Sequence, residues 1–452
     1  MALYASTGEM EAAAIEVLRR NDLGGWTKAA PRLYPHQWSW DSAFIAIGLA
    51  HVDTARAAQE LRSLFLAQWT TGLVPHIVFN PDVPPGSYFP DAESWNVANL
   101  SADVPKGKLT SGLIQPPVHA IAAWRIREIA GQRGRVDLET VDAFLREIYP
   151  KLFAWHRYLL TARDPEQSGL VTIYHPWESG LDNSPRWDPA LRAVAVGELE
   201  PYTRFDLQHV ADPSQRPTNE EYDRYLWLVE LLKQARYDDA AIAASGYPFM
   251  LKDVLISGIL VAANEALLRI AEVSGVPDDE RSLIADWIER GQRGLESAWD
   301  AELGLALDYD VLASEPVRVQ TIAGFAPLVA GGLAPARRTA LLETLDSEAF
   351  LGDARLRWQV PPSTSPLDPA FRSRSYWRGP TWPVLTWLFW WALMRDGEQE
   401  HADRLRTASL DQIATIGFAE YVEPFTGEPL GSLDQSWTAA VALDWLADSP
   451  QT

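Results

Sequence analysis

The run Trp382-Pro383-Val384-Leu385-Thr386-Trp387-Leu388-Phe389-Trp390-Trp391-Ala392-Leu393-Met394 is apolar around a whole helical circumference and carries no charge. It is too short to cross a bilayer and has a proline near its start, so it predicts a helix buried on every side. Residues 254–263 read the same way, whereas 221–234, 281–299 and 398–413 each set one charged face against one apolar face. Inner and outer helices follow from that contrast. Apolar side chains recur at three- and four-residue spacing through 10–20, 43–52, 54–69, 118–129, 141–160, 317–333, 338–345 and 436–446 as well, which makes about a dozen helices. Period-two runs are confined to 77–79 and 171–174, so the class is mainly α.

A two-layer set of helices suits an (α/α)6 barrel, here a single catalytic domain spanning 1–452, with a concave site among the loops at one end. The all-helical rival, an α-solenoid, needs a motif at a fixed period, and the chain has none. Two long segments, 71–117 and 167–219, interrupt the helical rhythm with Pro, Gly, Asn and Asp among many aromatics. Loops of that length are functional or disordered, and aromatic content argues for order. They are expected to fold over the barrel mouth as a cap.

The chain has 452 residues, with 39 Lys and Arg against 61 Asp and Glu for a formal charge of −22. No basic footprint exists for nucleic acid or anionic lipid, so the expected partner is a small molecule; monomer and homo-oligomer both stay open. Without Cys there is no disulfide, thiolate metal site or Cys nucleophile. The first 21 residues carry Glu9, Glu11 and Glu16 among alanines and read as an amphipathic helix, not a signal peptide, which makes the cytoplasm the expected location. The eight His show no metal-binding spacing, and dinucleotide, P-loop and nucleophile-elbow signatures are absent. No metal and no cofactor are expected.

Five clusters join carboxylates or amides to dense aromatics: residues 34–41 (Tyr-Pro-His-Gln-Trp-Ser-Trp-Asp), 174–183, 376–383, 418–421 and 434–437. Sugars present apolar faces edged by hydroxyls, so their sites combine aromatic platforms with acid and amide side chains. The plainer account is that Trp fills core and that acids cap helices. Ser39 or Asp41 capping a helix near Ser42 explains one residue of its cluster but not two flanking Trp. Hydrolysis of a glycoside needs one protonated carboxyl to donate to the leaving oxygen and one ionised carboxylate to attack or to activate water. Asp182 sits on a glycine-broken loop among aromatics that disfavour its charge, and Glu420 lies between Phe418 and Tyr421 just past a helix end. Asp41, Glu178, Asp206, Glu423 and Asp434 compete with them on position alone.

Residues 34–41, 175–188 (His-Pro-Trp-Glu-Ser-Gly-Leu-Asp-Asn-Ser-Pro-Arg-Trp-Asp), 212–217 (Asp-Pro-Ser-Gln-Arg-Pro), 376–380 (Tyr-Trp-Arg-Gly-Pro), 418–421 (Phe-Ala-Glu-Tyr) and 424–431 (Pro-Phe-Thr-Gly-Glu-Pro-Leu-Gly) resemble glycoside hydrolase family 63. The likeness spans nearly the whole chain and is strongest to the branch acting on glucosylglycerate and mannosylglycerate. It implies an (α/α)6 barrel and an inverting mechanism, with Asp182 as general acid and Glu420 as general base. It further implies that Tyr34, Trp38, Trp40, Asp41, Gln115, Trp177, Gly180, Trp377, Trp382 and Gln435 surround the sugar, with Tyr88, Arg216, Tyr222 and Tyr376 near the glycerate. The implied reaction is hydrolysis of 2-O-(α-D-glucosyl)-D-glycerate, with the mannosyl analogue as a second substrate, to recycle a compatible solute. Two rivals are a disaccharide α-glucosidase of the trehalase or kojibiose type, which would not need Arg216, and a noncatalytic sugar-binding toroid.

Overall fold

Pro383 opens the helix Pro383–Arg395, where its missing N–H is harmless because first-turn amides have no partner within a helix. Every residue from Pro383 to Trp390 is buried. The computed structural model describes residues 2–208, 210 and 212–448, and the chain is mainly helical. Six helices pack in a closed neighbour order: Ser39–Ala50 on His119–Arg133, then Val254–Ser274, Ala326–Ala330, Pro383–Arg395 and Ser436–Ala447, which returns to Ser39–Ala50. A second set packs on these. Thr7–Asn21 lies against Ser436–Ala447, Thr54–Phe65 against Ser39–Ala50, Arg135–Thr161 against His119–Arg133, Asp278–Ser297 against Val254–Ser274, and Gln399–Ile416 against Pro383–Arg395.

Local chemistry sets the ends of these helices. Asp253 caps Val254–Ser274 by accepting from Ile256 N–H, and Gly275 in a left-handed conformation stops it. Thr218 and Glu221 close a reciprocal capping box on Asn219–Gln234. Val254–Ser274 is long and apolar enough to cross a membrane, but 83% of its most apolar window is buried inside the protein, as befits a core helix.

The expected helix over 317–333 is replaced by a 3₁₀ turn, Ile322–Phe325, and a short helix, Ala326–Ala330. Val317 N–H bonds to Asp308 O beside a strand pair, Pro327 allows a helix only to begin, and Gly331 and Gly332 take positive φ at its end. A four-stranded antiparallel sheet runs in the order Val171–Ile173, Leu251–Asp253, Tyr309–Asp310, Glu315–Pro316. Two further pairs, Gln37–Trp38 with Ile77–Val78 and Tyr421–Val422 with Pro429–Leu430, complete the supports of the site. Each strand is only two or three residues long, too short for alternation to announce it.

Candidate active site

The pair Gln37–Trp38 with Ile77–Val78 leads straight into the helix Ser39–Ala50, whose first turn carries Trp40 and Asp41. Neither Ser39 nor Asp41 caps this helix; it starts at Ser39 itself, with no side-chain cap. Its first amides find other acceptors: Ser39 N–H bonds to His76 O at 3.0 Å and Trp40 N–H to Gln115 Oε1 at 3.2 Å. Asp41 is thereby free to face a cavity of about 1090 Å³.

Asp182 reaches the same cavity from the loop after Val171–Ile173. His175 shapes that loop through both ring nitrogens: Nδ1 accepts from Trp177 N–H and Nε2 donates to Tyr225 O, each at 3.0 Å. Glu178, a rival for the chemistry, instead anchors the loop. It receives two bonds of 2.9 Å from the Arg163 guanidinium and one each from Tyr174 and Ile114 N–H. Gly180 has φ 74°, and a Cβ there would stand 2.9 Å from the Trp40 ring, so only glycine lets loop and platform meet.

Glu420 lines the same cavity from just before the strand Tyr421–Val422. Its Oε1 accepts from Tyr34 Oη at 2.8 Å and its Oε2 from Ser432 N–H at 3.0 Å. The Tyr34 and Tyr376 hydroxyls meet at 3.1 Å, a contact in which either can donate, and the Tyr376 hydroxyl also helps to lower Glu420. A Cβ at Gly431 would lie 2.3 Å from Glu420 Oε2, and its φ is 70°.

Three carboxyls therefore share one cavity. Burial, only partly offset by Arg216 and then reinforced by Glu420, pushes Asp182 up to about 8. Burial followed by the charges of Glu420 and Asp182 holds Asp41 well above the carboxylate range. Burial also raises Glu420, against the lowering influence of Arg216, Ser432 N–H and Tyr34. Among the described residues the carboxyls of Asp41 and Asp182 meet no hydrogen-bond donor but their own backbone N–H, whereas Glu420 is hydrogen-bonded by Tyr34 and Ser432 N–H and is lowered by the Tyr376 hydroxyl as well; the environments of Asp182 and Glu420 thus differ in how well each supports a negative charge.

The remaining rivals are accounted for. Asp206 is clasped by Arg204 at 2.7 and 3.1 Å and by Arg216 Nε at 3.3 Å. Glu423 closes its own turn through Phe425 and Thr426, and Asp434 pairs with Arg20 at the surface. Arg216 pairs with neither Asp212 nor Glu220, its plainest partners on sequence; its guanidinium lies 4.0 Å over the Tyr376 ring. Its Nη1 is buried and meets no carboxylate.

Of the residues named from sequence, Tyr34, Trp38, Trp40, Asp41, Tyr88 and Gln115 line the cavity, together with Trp177, Gly180, Asp182 and Arg216. Tyr222, Tyr376, Glu420 and Gln435 complete that set. Trp377 and Trp382 stand outside the wall: they stack on each other at 3.4 Å and 6° and are each 1% exposed, with Tyr421 against Trp382. They brace the wall from behind, and φ 60° at Trp377 turns its ring into that stack. Sequence reasoning missed His76, Trp95, Phe205, Tyr225 and Trp437; of these only Trp437 lay in a recognised cluster. Gln435 Oε1 and Nε2, Trp38 Nε1 and Trp437 Nε1 are buried in or behind the wall without partners. Among the described residues no group of three or more His, Asp or Glu is arranged to hold a metal ion.

Aromatic walls, unsatisfied polar edges and two carboxyls in unlike environments make up the site of a glycoside hydrolase. Residues 34–438 match the family described as the mannosylglycerate hydrolase MGH1-like glycoside hydrolase domain. The chain is 49% identical to a glucosylglycerate hydrolase of Mycolicibacterium hassiacum, over 97% of this chain and 98% of that one. It is 41% identical to a mannosylglycerate hydrolase of Thermus thermophilus, over 96% and 99% respectively. A crystal structure of a GH63 mannosylglycerate hydrolase from Thermus thermophilus, in complex with Tris and D-glycerate, superposes with a TM-score of 0.87 at 40% identity, covering 96% of this chain and 99% of that one. The chain belongs to this MGH1-like family, within glycoside hydrolase family 63.

Proposed function

We propose that the chain is an inverting α-glycosidase that cleaves 2-O-(α-D-glucosyl)-D-glycerate, and more slowly its α-mannosyl analogue, to hexose and D-glycerate. The carrying observation is Arg216, a guanidinium in the cavity wall of a chain whose formal charge is −22, whose only ion pair among the described residues, with Asp206, is made through Nε and leaves the fork without a carboxylate. A carboxylate-bearing acceptor supplies what it lacks. An uncharged disaccharide leaves it unpaired, which disfavours the trehalase or kojibiose reading, and a protein that only binds sugar has no use for a carboxyl held protonated to about 8. The order of identities, glucosylglycerate hydrolase above mannosylglycerate hydrolases, favours glucose over mannose.

Asp182 is the proton donor and Asp41 a ligand of the hexose. Asp182 feels the charge of Arg216, on the acceptor side, while the charges felt by Asp41 are those of Glu420 and Asp182. As the bond from C1 to the glycerate oxygen breaks, that oxygen takes the Asp182 proton. Water then adds to C1 from the opposite face and gives its proton to Glu420. Tyr34, Trp38, Trp40, Trp177 and Gln435 surround the hexose, and Tyr88, Arg216, Tyr222 and Tyr376 hold the glycerate. The closed neighbour order of six helices supports an (α/α)6 barrel in one domain, with 71–117 and 167–219 as its cap. Recycling of a compatible solute in the cytoplasm is the role that fits. Incubation with either glycosylglycerate while recording proton spectra is the test: free β-hexose should appear first, and early α-hexose or no release overturns the proposal.

A further inference from the structure

His76 belongs to the cavity wall but has no part in the roles assigned above. Its backbone is fixed on both sides, N–H to Leu113 O at 2.8 Å and C=O from Ser39 N–H at 3.0 Å. Its ring is packed edge-on between Trp38 and Trp95, with centroids 5.5 and 5.4 Å away, and lies 6.5 Å from Trp177 at 26°. This ring cannot turn away.

The hydrogen bonds assign its tautomer. Nδ1 is in short contact with Ser111 Oγ, and the same Oγ accepts from Ile77 N–H at 3.2 Å. Ser111 is fully buried, and its hydroxyl proton has no other acceptor among the described residues. Satisfying every group therefore requires Oγ–H to donate to Nδ1, which leaves the ring proton on Nε2. That nitrogen has no protein partner among the described residues, yet it is not among the atoms sealed from solvent. Burial keeps the ring neutral, so the donor persists over the working pH range.

We infer that His76 Nε2–H donates a hydrogen bond to a hydroxyl of the bound hexose, on the part of the ring remote from the anomeric carbon. His76 packs against Trp38 and Trp177, two of the rings placed above around the hexose, and no hydrogen bond or ring contact joins it to Asp182, Glu420 or Arg216 among the described residues. O3, O4 and O6 are the hydroxyls remote from C1. The inference rests on the glycosylglycerate reading and adds a specificity residue to it.

The test measures kcat/KM of wild type, His76→Phe and Ser111→Ala on glucosylglycerate and on its 3-, 4- and 6-deoxy analogues. His76→Phe keeps the aromatic packing and removes the donor; a sugar hydroxyl left unpaired in a dry site should cost roughly ten- to hundredfold. That loss should vanish for the one deoxy analogue that lacks the partner hydroxyl and persist for the other two. Ser111→Ala frees the tautomer and should give a smaller loss with the same analogue pattern. Equal losses on all four sugars, with unchanged melting of the variants, would make His76 a packing residue and overturn the inference, as would an undiminished His76→Phe enzyme. Failure of the underlying reading looks different, because wild type itself would then release no hexose.

Discussion

The Tyr34 hydroxyl donates to Glu420 Oε1 at 2.8 Å and lies 3.1 Å from the Tyr376 hydroxyl, so the carboxylate proposed to take a proton from water sits beside a two-tyrosine relay. Tyr376 in turn lies 4.0 Å beneath the Arg216 guanidinium. Glu420, the proposed base, and Arg216, the proposed carboxylate holder, thus share Tyr376 as a neighbour, and disturbing either should be felt by both.

Tyr34→Phe tests the relay. Burial raises the Glu420 carboxyl, and the Tyr34 hydroxyl is one of the groups that bring it down again. Its removal should lower kcat by about tenfold, in proportion to one charge-assisted hydrogen bond, and shift the acid limb of the pH–rate profile upward. An acid limb at its wild-type position would show that Tyr34 only packs.

The alkaline limb is expected to follow Asp182, the proposed acid. A general acid works only while protonated, and burial, opposed by Arg216 and aided by Glu420, carries its pKa to about 8. Activity should therefore hold through neutrality and fall as pH passes about 8. Asp182→Asn should lose nearly all turnover at every pH. A wild-type profile that declines well below neutrality would remove the protonated donor from the mechanism.

The same shift has a stability consequence of defined sign. Asp182 binds its proton more tightly folded than unfolded, so its contribution is fully present below the ordinary carboxylate range of about 3.8 and is lost as pH climbs to about 8. Asp182→Asn cannot ionise. Its melting temperature should exceed that of wild type by a margin that widens across this window, each pH unit adding about 1.4 kcal/mol at most, and then level off. Parallel melting curves at all pH values would mean that the carboxyl is not held protonated in the folded protein.

Much of this architecture is legible in the amino-acid sequence, and the exceptions share a cause. The buried helix at 383–395 and the amphipathic ones around it announce themselves because burial on all sides or on one side writes directly into side-chain periodicity. The stretch 317–333 has the same periodicity yet is diverted by Pro327 and a glycine pair, where backbone constraints outweigh pattern. Asp182 and Glu420 stand out by type and neighbourhood and Arg216 through the family likeness, but their meeting in one cavity requires the fold. Glu178 shows the limit most clearly: between Trp177 and Ser179 it looks as apt for chemistry as Asp182, and its bonds from Arg163, a residue with no local signal, and from Tyr174 and Ile114 N–H mark it as an anchor. His76 is silent because its use depends on Ser111, which comes alongside only through the strand pairing and the loop behind it.

Arg216 carries the prediction on which the acceptor half of the substrate turns. Its Nε is held by Asp206 at 3.3 Å, its plane is stacked on Tyr376, and Nη1 is left buried and without a carboxylate. Asp206 is itself clasped by Arg204, so the cluster keeps one uncompensated positive charge in a chain of formal charge −22. A glycerate carboxylate placed there gains a charge-assisted hydrogen bond and escapes the repulsion of the surrounding acid groups. Arg216→Lys retains the charge but forfeits the planar fork and the ring stack, and Arg216→Ala forfeits everything. Both should weaken kcat/KM for glucosylglycerate by about two orders of magnitude or more, consistent with the roughly 2–5 kcal/mol cost of removing one partner of a buried charged pair, with alanine the worse. On an uncharged glucosylglycerol the same variants should lose far less, since no carboxylate is there to be left unpaired. Steady-state kinetics on the two substrates with the two variants decide the matter: equal losses on charged and neutral acceptors would make Arg216 a support for Tyr376 and the loop, and would leave the recognition of glycerate to some other group.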